Sequence, residues 1–195
     1  MAESSGVALE ALIATAAEGI ANGTAEHLRS LDEAGSPLYV TDGQGIITYY
    51  NKACIDFAGR MPSVGKDRWC VTWKLYTPEG AFLPHEECPM AVAVKERRYV
   101  RGVTAFAERP DGTRRAFLPY PTPVLERPSG KLLAAVNAFE ELTPAEHHAR
   151  LQEQALRHHR LARAASDDRT RQTLLELAGE YERMALAVAP DRPAD

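Results

Sequence analysis

A histidine and a cysteine three residues apart are the first feature able to do chemistry, in His85-Glu86-Glu87-Cys88-Pro89-Met90. Imidazole and thiolate both bind softer metals, so His85 and Cys88 could share one ion. A closed zinc site needs four donors, and Cys54 and Cys70 stand at spacings that do not ask for one. In the competing reading, Pro84 and Pro89 shape the start of a helix while Cys88 and Met90 pack in the core. No metal set is therefore assigned, and the His85/Cys88 pair is the alternative. Trp69 and Trp73 flank Cys70, and their indoles suit the wall of an apolar pocket for a planar or acyl ligand. His147-His148 and His158-His159 lie eleven residues apart, which places both pairs on one helical face with Arg150, Arg157, Arg160 and Arg163. That face reads as a solvated or partner-facing basic stripe rather than a phosphoacceptor. No nucleotide loop, nucleophile elbow or Ser/His/Asp spacing is visible, so no catalytic residue is named and no enzyme is expected.

These residues sit in a chain of 195 residues, long enough for one ordinary domain with helical extensions. Its 45% hydrophobic and 26% charged residues are those of a globular protein. A net charge of −4 argues against nucleic acid as the main partner. No apolar run reaches the ~18 residues of a membrane span. The N-terminus lacks the basic start of a signal peptide, and three cysteines without a CxxC pair suit reduced thiols. A cytoplasmic protein is expected.

Four pieces follow from the pattern. Residues 1–35 form a helical extension with Leu9, Leu12, Ile13, Ala16, Ala17 and Ile20 at helical spacing, broken at Asn22-Gly23. Residues 36–143 hold the sheet-rich domain. Leu38 to Val40 and Ile46 to Tyr50 are strands around the turn Asp42-Gly43-Gln44-Gly45. Asn51 caps a short helix that Gly59 stops. Met61 to Pro84 reads as loops and helical turns, and Glu86 to Arg98 as a helix. Tyr99 to Glu108 and Thr113 to Leu125 read as a long hairpin, expected to bulge or end at Tyr120-Pro121-Thr122-Pro123. Lys131 to Glu140 is the last strand. Residues 144–190 form a helical pair and 191–195 a tail. Thr143-Pro144-Ala145-Glu146 is a capping box, and Ser166-Asp167-Asp168 caps a second helix. The second helix carries the stripe Leu174, Leu177, Ala178, Tyr181, Met184, Ala185 and Val188, which must be covered by something.

The stretch from Asp42 to Gly59 resembles the opening of a PAS domain, commonly D-x-x-G-x-I-x-x-x-N-x-A-x-x-x-x-x-G. Asp42, Gly45, Ile47, Asn51, Ala53 and Gly59 stand at the matching places. Glu108 to Thr113 resembles the family's turn between its third and fourth strands. Gly130 to Thr143 resembles its last strand, with Glu141-Leu142-Thr143 where many members have Asp-Ile-Thr. The resemblance covers residues 36 to 143.

It implies an α+β fold: a twisted five-stranded antiparallel sheet, final strand near the middle, short helices on one face and flanking helices at both ends. It implies a stand-alone sensory module that holds a small ligand between sheet and helices. The ligand-binding candidates are Cys54, Phe57, Trp69, Trp73, His85, Cys88, Met90 and Phe117, converging with Val136 or Ala138. Output is expected through Glu141, Leu142 and Thr143. Without an output domain of its own, the chain would dock in trans onto another signalling protein such as a histidine kinase, as a homodimer. The cofactor is open. Cys88-Pro89 with His85 resembles cysteine-proline motifs that bind haem, the basis of an alternative gas or redox sensor. The Asn-Cys-Arg-Phe-Leu-Gln motif of flavin-binding light sensors is absent around Cys70, which argues against a flavin. A small-molecule enzyme is the remaining alternative.

Overall fold

A computed structural model describes residues 2–23, 31–32 and 34–188. The chain divides into two compact units, Met1–Glu141 and Leu142–Asp195. In the first, α1 (Ala2–Ala21) precedes β1 (Leu38–Asp42), β2 (Ile47–Tyr50) and α2 (Lys52–Ala58). Two short strands follow, β3 (Lys74–Tyr76) and β4 (Phe82–Leu83), then a 3₁₀ turn at His85–Glu87 and α3 (Pro89–Glu96). Then come β5 (Ala105–Glu108), β6 (Arg114–Leu125) and β7 (Leu132–Leu142), whose last residue is the first of the second unit.

The strands form one sheet in the order β2-β1-β7-β6-β5-β3-β4. The final strand is central, as expected, but the sheet has seven strands rather than five. The two extra strands fall in the proline- and glycine-rich stretch read as loops. Alone they are too short to leave a periodic signal, and the ladder supplies what they lack: Lys74, Leu75 and Tyr76 pair with Glu108, Ala107 and Phe106. A tight turn with Gly80 at φ +86° then returns β4 onto β3.

The sheet buries both faces. One carries Tyr39, Ile47, Phe117, Ala135 and Phe139 beneath α2 and α3. The other carries Leu38, Val40, Val124, Val136 and Ala138 against Leu9, Ile13 and Ala16 of α1. The N-terminal helix is thus part of the first unit. It stops before Gly23 as the Asn-Gly pair predicts, and the expected second piece from Thr24 lies outside the described residues.

Strand β6 runs straight through its prolines, where a bulge or end was expected. Pro119, Pro121 and Pro123 share one parity, and their edge faces no strand because β5 begins only at Ala105, opposite Phe117. There the Pro121 carbonyl accepts Val100 N at 3.4 Å and Arg101 Nη1 at 2.9 Å. Proline removes only ladder bonds that this edge never makes. For the same reason the expected strand from Tyr99 is a loop up to Thr104.

The second unit is a pair of helices, α4 (Pro144–Ala164) and α5 (Asp168–Ala187). Thr143 caps α4: its Oγ1 accepts Glu146 N at 3.2 Å, while the Glu146 carboxylate accepts Thr143 N at 2.8 Å. Losing the hydroxyl removes one cap bond, so Thr143→Ala should cost about 1 kcal/mol, read as a lowered denaturant midpoint. Asp167 caps α5 by accepting Thr170 N at 2.8 Å. The expected stop at Pro190 and the tail lie outside the described residues.

The helices meet through small side chains, Ala155 and Ala162 of α4 with Ala178 and Ala185 of α5. The rest of the expected stripe is less covered, and Leu177 is 36% exposed. The basic face is not simply solvated. His148 Nδ1 lies 2.9 Å from the Ala185 carbonyl, His159 Nε2 lies 2.9 Å from Glu182 Oε1, and His158 stacks on Tyr181. Once alanines set the approach, α5 is near enough to use these rings.

Candidate ligand-binding interior

The candidate site lies between the sheet and α2/α3. Its placement begins with the turn at Asp42, whose carboxylate accepts Gln44 N at 2.8 Å and Ile46 N at 2.9 Å. This closes the β1–β2 hairpin and brings Asn51 beside the start of β1. The fully buried Asn51 Oδ1 accepts Leu38 N at 3.0 Å and Cys54 N at 3.3 Å. Its amide donates to Ser36 O at 2.9 Å and Leu31 O at 3.2 Å. One side chain therefore caps α2 and also ties the helix to the strand.

From that anchor Cys54 and Phe57 point at the sheet. Phe57, Phe117 and Phe139 meet edge-to-face, with centroids at 5.4 Å for Phe57–Phe117, 4.8 Å for Phe57–Phe139 and 5.2 Å for Phe117–Phe139. Met90 and Cys88 come from α3 and its cap, and Trp69 packs partly buried against the same cluster. Six of the eight expected ligand-binding residues therefore meet in one cluster: Cys54, Phe57, Trp69, Cys88, Met90 and Phe117. Trp73 does not; it is 52% exposed. His85 sits half-buried in the 3₁₀ turn, where burial first and the Arg60 charge second hold its pKa below the usual range. Its Nε2 is buried with no hydrogen-bond partner among the described residues.

The expected partners on the last strand also change. Val136 and Ala138 belong to the α1 face, while Ala135 and Phe139 face this interior. Successive side chains alternate across a sheet, so an error of one residue in phase moves the whole set to the other side.

The sequence reading missed a strip of polar groups inside the apolar shell. Tyr39 Oη donates to the Trp69 carbonyl at 2.9 Å and accepts Asn137 Nδ2 at 3.2 Å. Asn137 Oδ1 accepts Tyr120 N at 2.9 Å. Thr41, two residues from Tyr39 and so on its face, is 0% exposed. Its Oγ1 has no hydrogen-bond partner among the described residues. The available signal was Asn137, an amide inside an otherwise apolar strand, in phase with Ala135 and Phe139.

Trp69 is held in an unusual backbone state, φ +70°, with its ring over Gly45. A Cβ at Gly45 would stand 2.1 Å from that ring, so glycine is required for the approach as well as for its own φ of +83°. The strained turn points the Trp69 carbonyl inward at Tyr39.

Burial holds the titratable groups of this interior in their neutral forms. Burial raises the pKa of Cys54 and Cys70 and pushes the Cys88 thiol up to about 12. Burial, followed by Cys70 and Cys88, likewise keeps the Tyr39 phenol protonated. Protonated thiols are poor nucleophiles and poor metal ligands. Cys88 Sγ faces the Trp69 carbonyl at 4.0 Å, whereas the charges acting on His85 are Arg60, Glu86 and Asp67. Among the described residues, no three His, Cys, Asp or Glu side chains are placed to hold a metal ion.

No family model matches the chain, and neither does any curated protein. Solved structures do. A LOV protein of Rhodobacter sphaeroides is similar over 81% of this chain and 93% of its own, at 16% identity and a TM-score of 0.44. The PAS domain of the fruit-fly ELK potassium channel covers 59% of this chain and 93% of its own, at 13% identity and TM-score 0.47. A structure described as "Flavin Analogue Sheds Light on Light-Oxygen-Voltage Domain Mechanism" covers 66% and 93%, at 10% identity and TM-score 0.48. Likeness this distant bears on fold and on nothing finer. The chain has the α+β PAS fold: an antiparallel sheet with its last strand central and short helices over one face.

One expectation is withdrawn. Flavin was set aside because a sequence motif is missing, yet light-oxygen-voltage domains recur among the similar structures. Absence of one six-residue motif does not decide whether a flat ring can bind, since binding rests on shape and polar groups contributed by several strands.

Proposed function

We propose that this chain is a non-enzymatic cytoplasmic sensory protein that binds a small ligand between its sheet and α2/α3. Binding is then reported through Glu141, Leu142 and Thr143 to α4. The observation that carries this reading is the unpartnered Thr41 hydroxyl beside the Tyr39–Asn137 pair, inside a shell of Phe57, Phe117, Phe139, Met90 and Cys54. An apolar interior with a few fixed polar groups is how proteins orient a compact ligand. A ligand with an apolar body and one polar edge suits it, the edge meeting Thr41 and Asn137. Leu142 is the last residue of β7 and Pro144 the first of α4, so only Thr143 separates strand from helix. Native mass spectrometry of the purified protein tests the reading. A retained small molecule, a flavin included, that is lost in Thr41→Val supports it. Retention unchanged by Thr41→Val and Asn137→Leu overturns the assigned interior.

The helical pair supports docking in trans and self-association. Its buried side chains are mostly alanines, and Leu156, Leu161, Leu175, Leu177 and Leu186 stay exposed. Two helices with so small a seam bury little apolar surface for their length. A second copy of the chain, or a helical signalling partner such as a histidine kinase, would cover those leucines. Leu177→Asp should shift a homodimer toward monomer by light scattering at tens of micromolar, because it sets a charge in an apolar seam. A wild-type protein that is already monomeric there contradicts self-association. Among the described residues, no helix is long and apolar enough to cross a membrane.

A further inference from the structure

A cavity of about 310 Å³ lies between the end of α3 and the turn that joins β6 to β7. It exists because β6 outruns β5. The shorter strand begins at Ala105 opposite Phe117, so the edge of β6 from Pro119 onward meets a loop instead of a neighbour. Val124 turns toward α1, so Pro123 and Leu125 project to the opposite face, the one α3 covers. The loop beside them is pinned. Val100 N donates to Pro121 O at 3.4 Å, and Arg101 donates to Pro121 O and to Thr122 Oγ1, both at 2.9 Å. The turn on the other side is equally fixed, with Glu126 N donating to Lys131 O at 2.8 Å and Gly130 N to Glu126 O at 2.9 Å.

Tyr99, Pro123, Leu125 and Pro128 give the cavity an apolar wall. That wall is accessible, with Tyr99 62% and Leu125 39% exposed. The charged lining residues are Arg97, Arg127 and Glu126. The carboxylate is already engaged, accepting Ser129 Oγ at 2.5 Å. Neither Arg97 nor Arg127 has an ion pair or a hydrogen bond among the described residues. Their neighbours do: Arg98 pairs with Glu96 at 2.5 Å and Arg101 with Glu10 at 3.0 Å. Arg97 also ends α3 in the left-handed region, at φ +53°, a position that favours glycine. Arginine there costs backbone energy, and an outlier of this kind points to a use for its side chain.

We propose that this cavity binds a small organic oxyanion, a phosphate or carboxylate carried on a single ring. The oxyanion is held by the guanidiniums of Arg97 and Arg127, whose forked donors match its oxygens. The ring lies against Tyr99, Leu125 and the two prolines. Two guanidiniums against one engaged carboxylate leave the lining positive, which disfavours cations. The volume is at the low end for ligand pockets and limits the ligand to about one ring. None of these residues belongs to the interior between the sheet and α2/α3, so the two sites stand apart.

The test titrates the full chain with phenyl phosphate, benzoate, inorganic phosphate and benzylamine, followed by calorimetry and by NMR shifts. At least one of the two ring oxyanions should bind saturably, and the tighter one identifies the headgroup. Inorganic phosphate should bind about tenfold more weakly, since it forgoes the ring contact. Benzylamine should show no saturable binding. Arg97→Gln and Arg127→Gln should each weaken the tighter probe about tenfold, the loss of one charge-assisted contact. Arg98→Gln removes a charge that is paired and outside the lining, and should change binding less than about threefold. Arg97→Gly should weaken binding as much as Arg97→Gln while raising the thermal midpoint, because glycine suits the left-handed position. A purely structural arginine would give only the second effect. Failure of both ring oxyanions to bind, inorganic phosphate binding as tightly, or Arg98→Gln as damaging as Arg97→Gln each overturns the site. Thr41→Val, which probes the interior, should leave all of these outcomes unchanged.

Discussion

Phe139→Ala is expected to destabilise the first unit by about 4 kcal/mol, read from the denaturant midpoint at constant slope. Phe139 is 1% exposed on the central strand and touches two other phenylalanines, with the Tyr39 ring at 6.4 Å. Truncation removes its transfer energy and leaves a void, because α2 is pinned by Asn51 and cannot follow the lost volume. Phe139→Leu keeps most of the volume and should cost about half as much. A loss below about 1.5 kcal/mol for the alanine variant would mean that the aromatic cluster collapses freely, contrary to the close-packed interior described above.

Asn51→Leu is expected to cost about 3 kcal/mol, although the volume is nearly kept. The variant strands Leu38 N and Cys54 N, and it also removes the donor to Ser36 O and Leu31 O. Buried backbone groups left unpaired carry their full desolvation penalty. Asn51→Asp separates the two roles. It retains the acceptor for Leu38 and Cys54 but loses the amide donor, so it should fall between wild type and leucine. If Asn51→Asp proves as damaging as Asn51→Leu, the amide donors rather than the cap hold this corner together.

Much of this architecture was legible from local chemistry. The Asp42–Gly45 turn, the Asn51 cap, the Gly59 stop and the Thr143 capping box involve residues within a few positions of one another. Their geometry follows from side-chain hydrogen bonds and backbone angles that the sequence states directly. The motif spacing from Asp42 to Gly59 also pointed to the PAS fold, and the central place of the last strand agrees. Phe57, Cys54 and Met90 were placed in the interior because short apolar helix faces must meet the sheet.

What the sequence could not decide depended on partners far along the chain. Strands β3 and β4 exist because β5 offers them a ladder, which no property of Lys74 to Leu83 announces. The prolines of β6 are tolerated because their edge has no neighbouring strand, a fact about Ala105 rather than about Pro121. Trp73 and Trp69 look alike in sequence, yet only Trp69 folds over Gly45 toward the core while Trp73 faces solvent. The polar strip required the pairing of Tyr39 with Asn137, 98 positions apart, before either side chain could be assigned a role. Residues that act through neighbours in the chain were therefore determined by sequence alone. The phase of each strand, the partner across each ladder and the ring that lies over each glycine were decided only by the tertiary structure, where packing selects among local options of nearly equal energy.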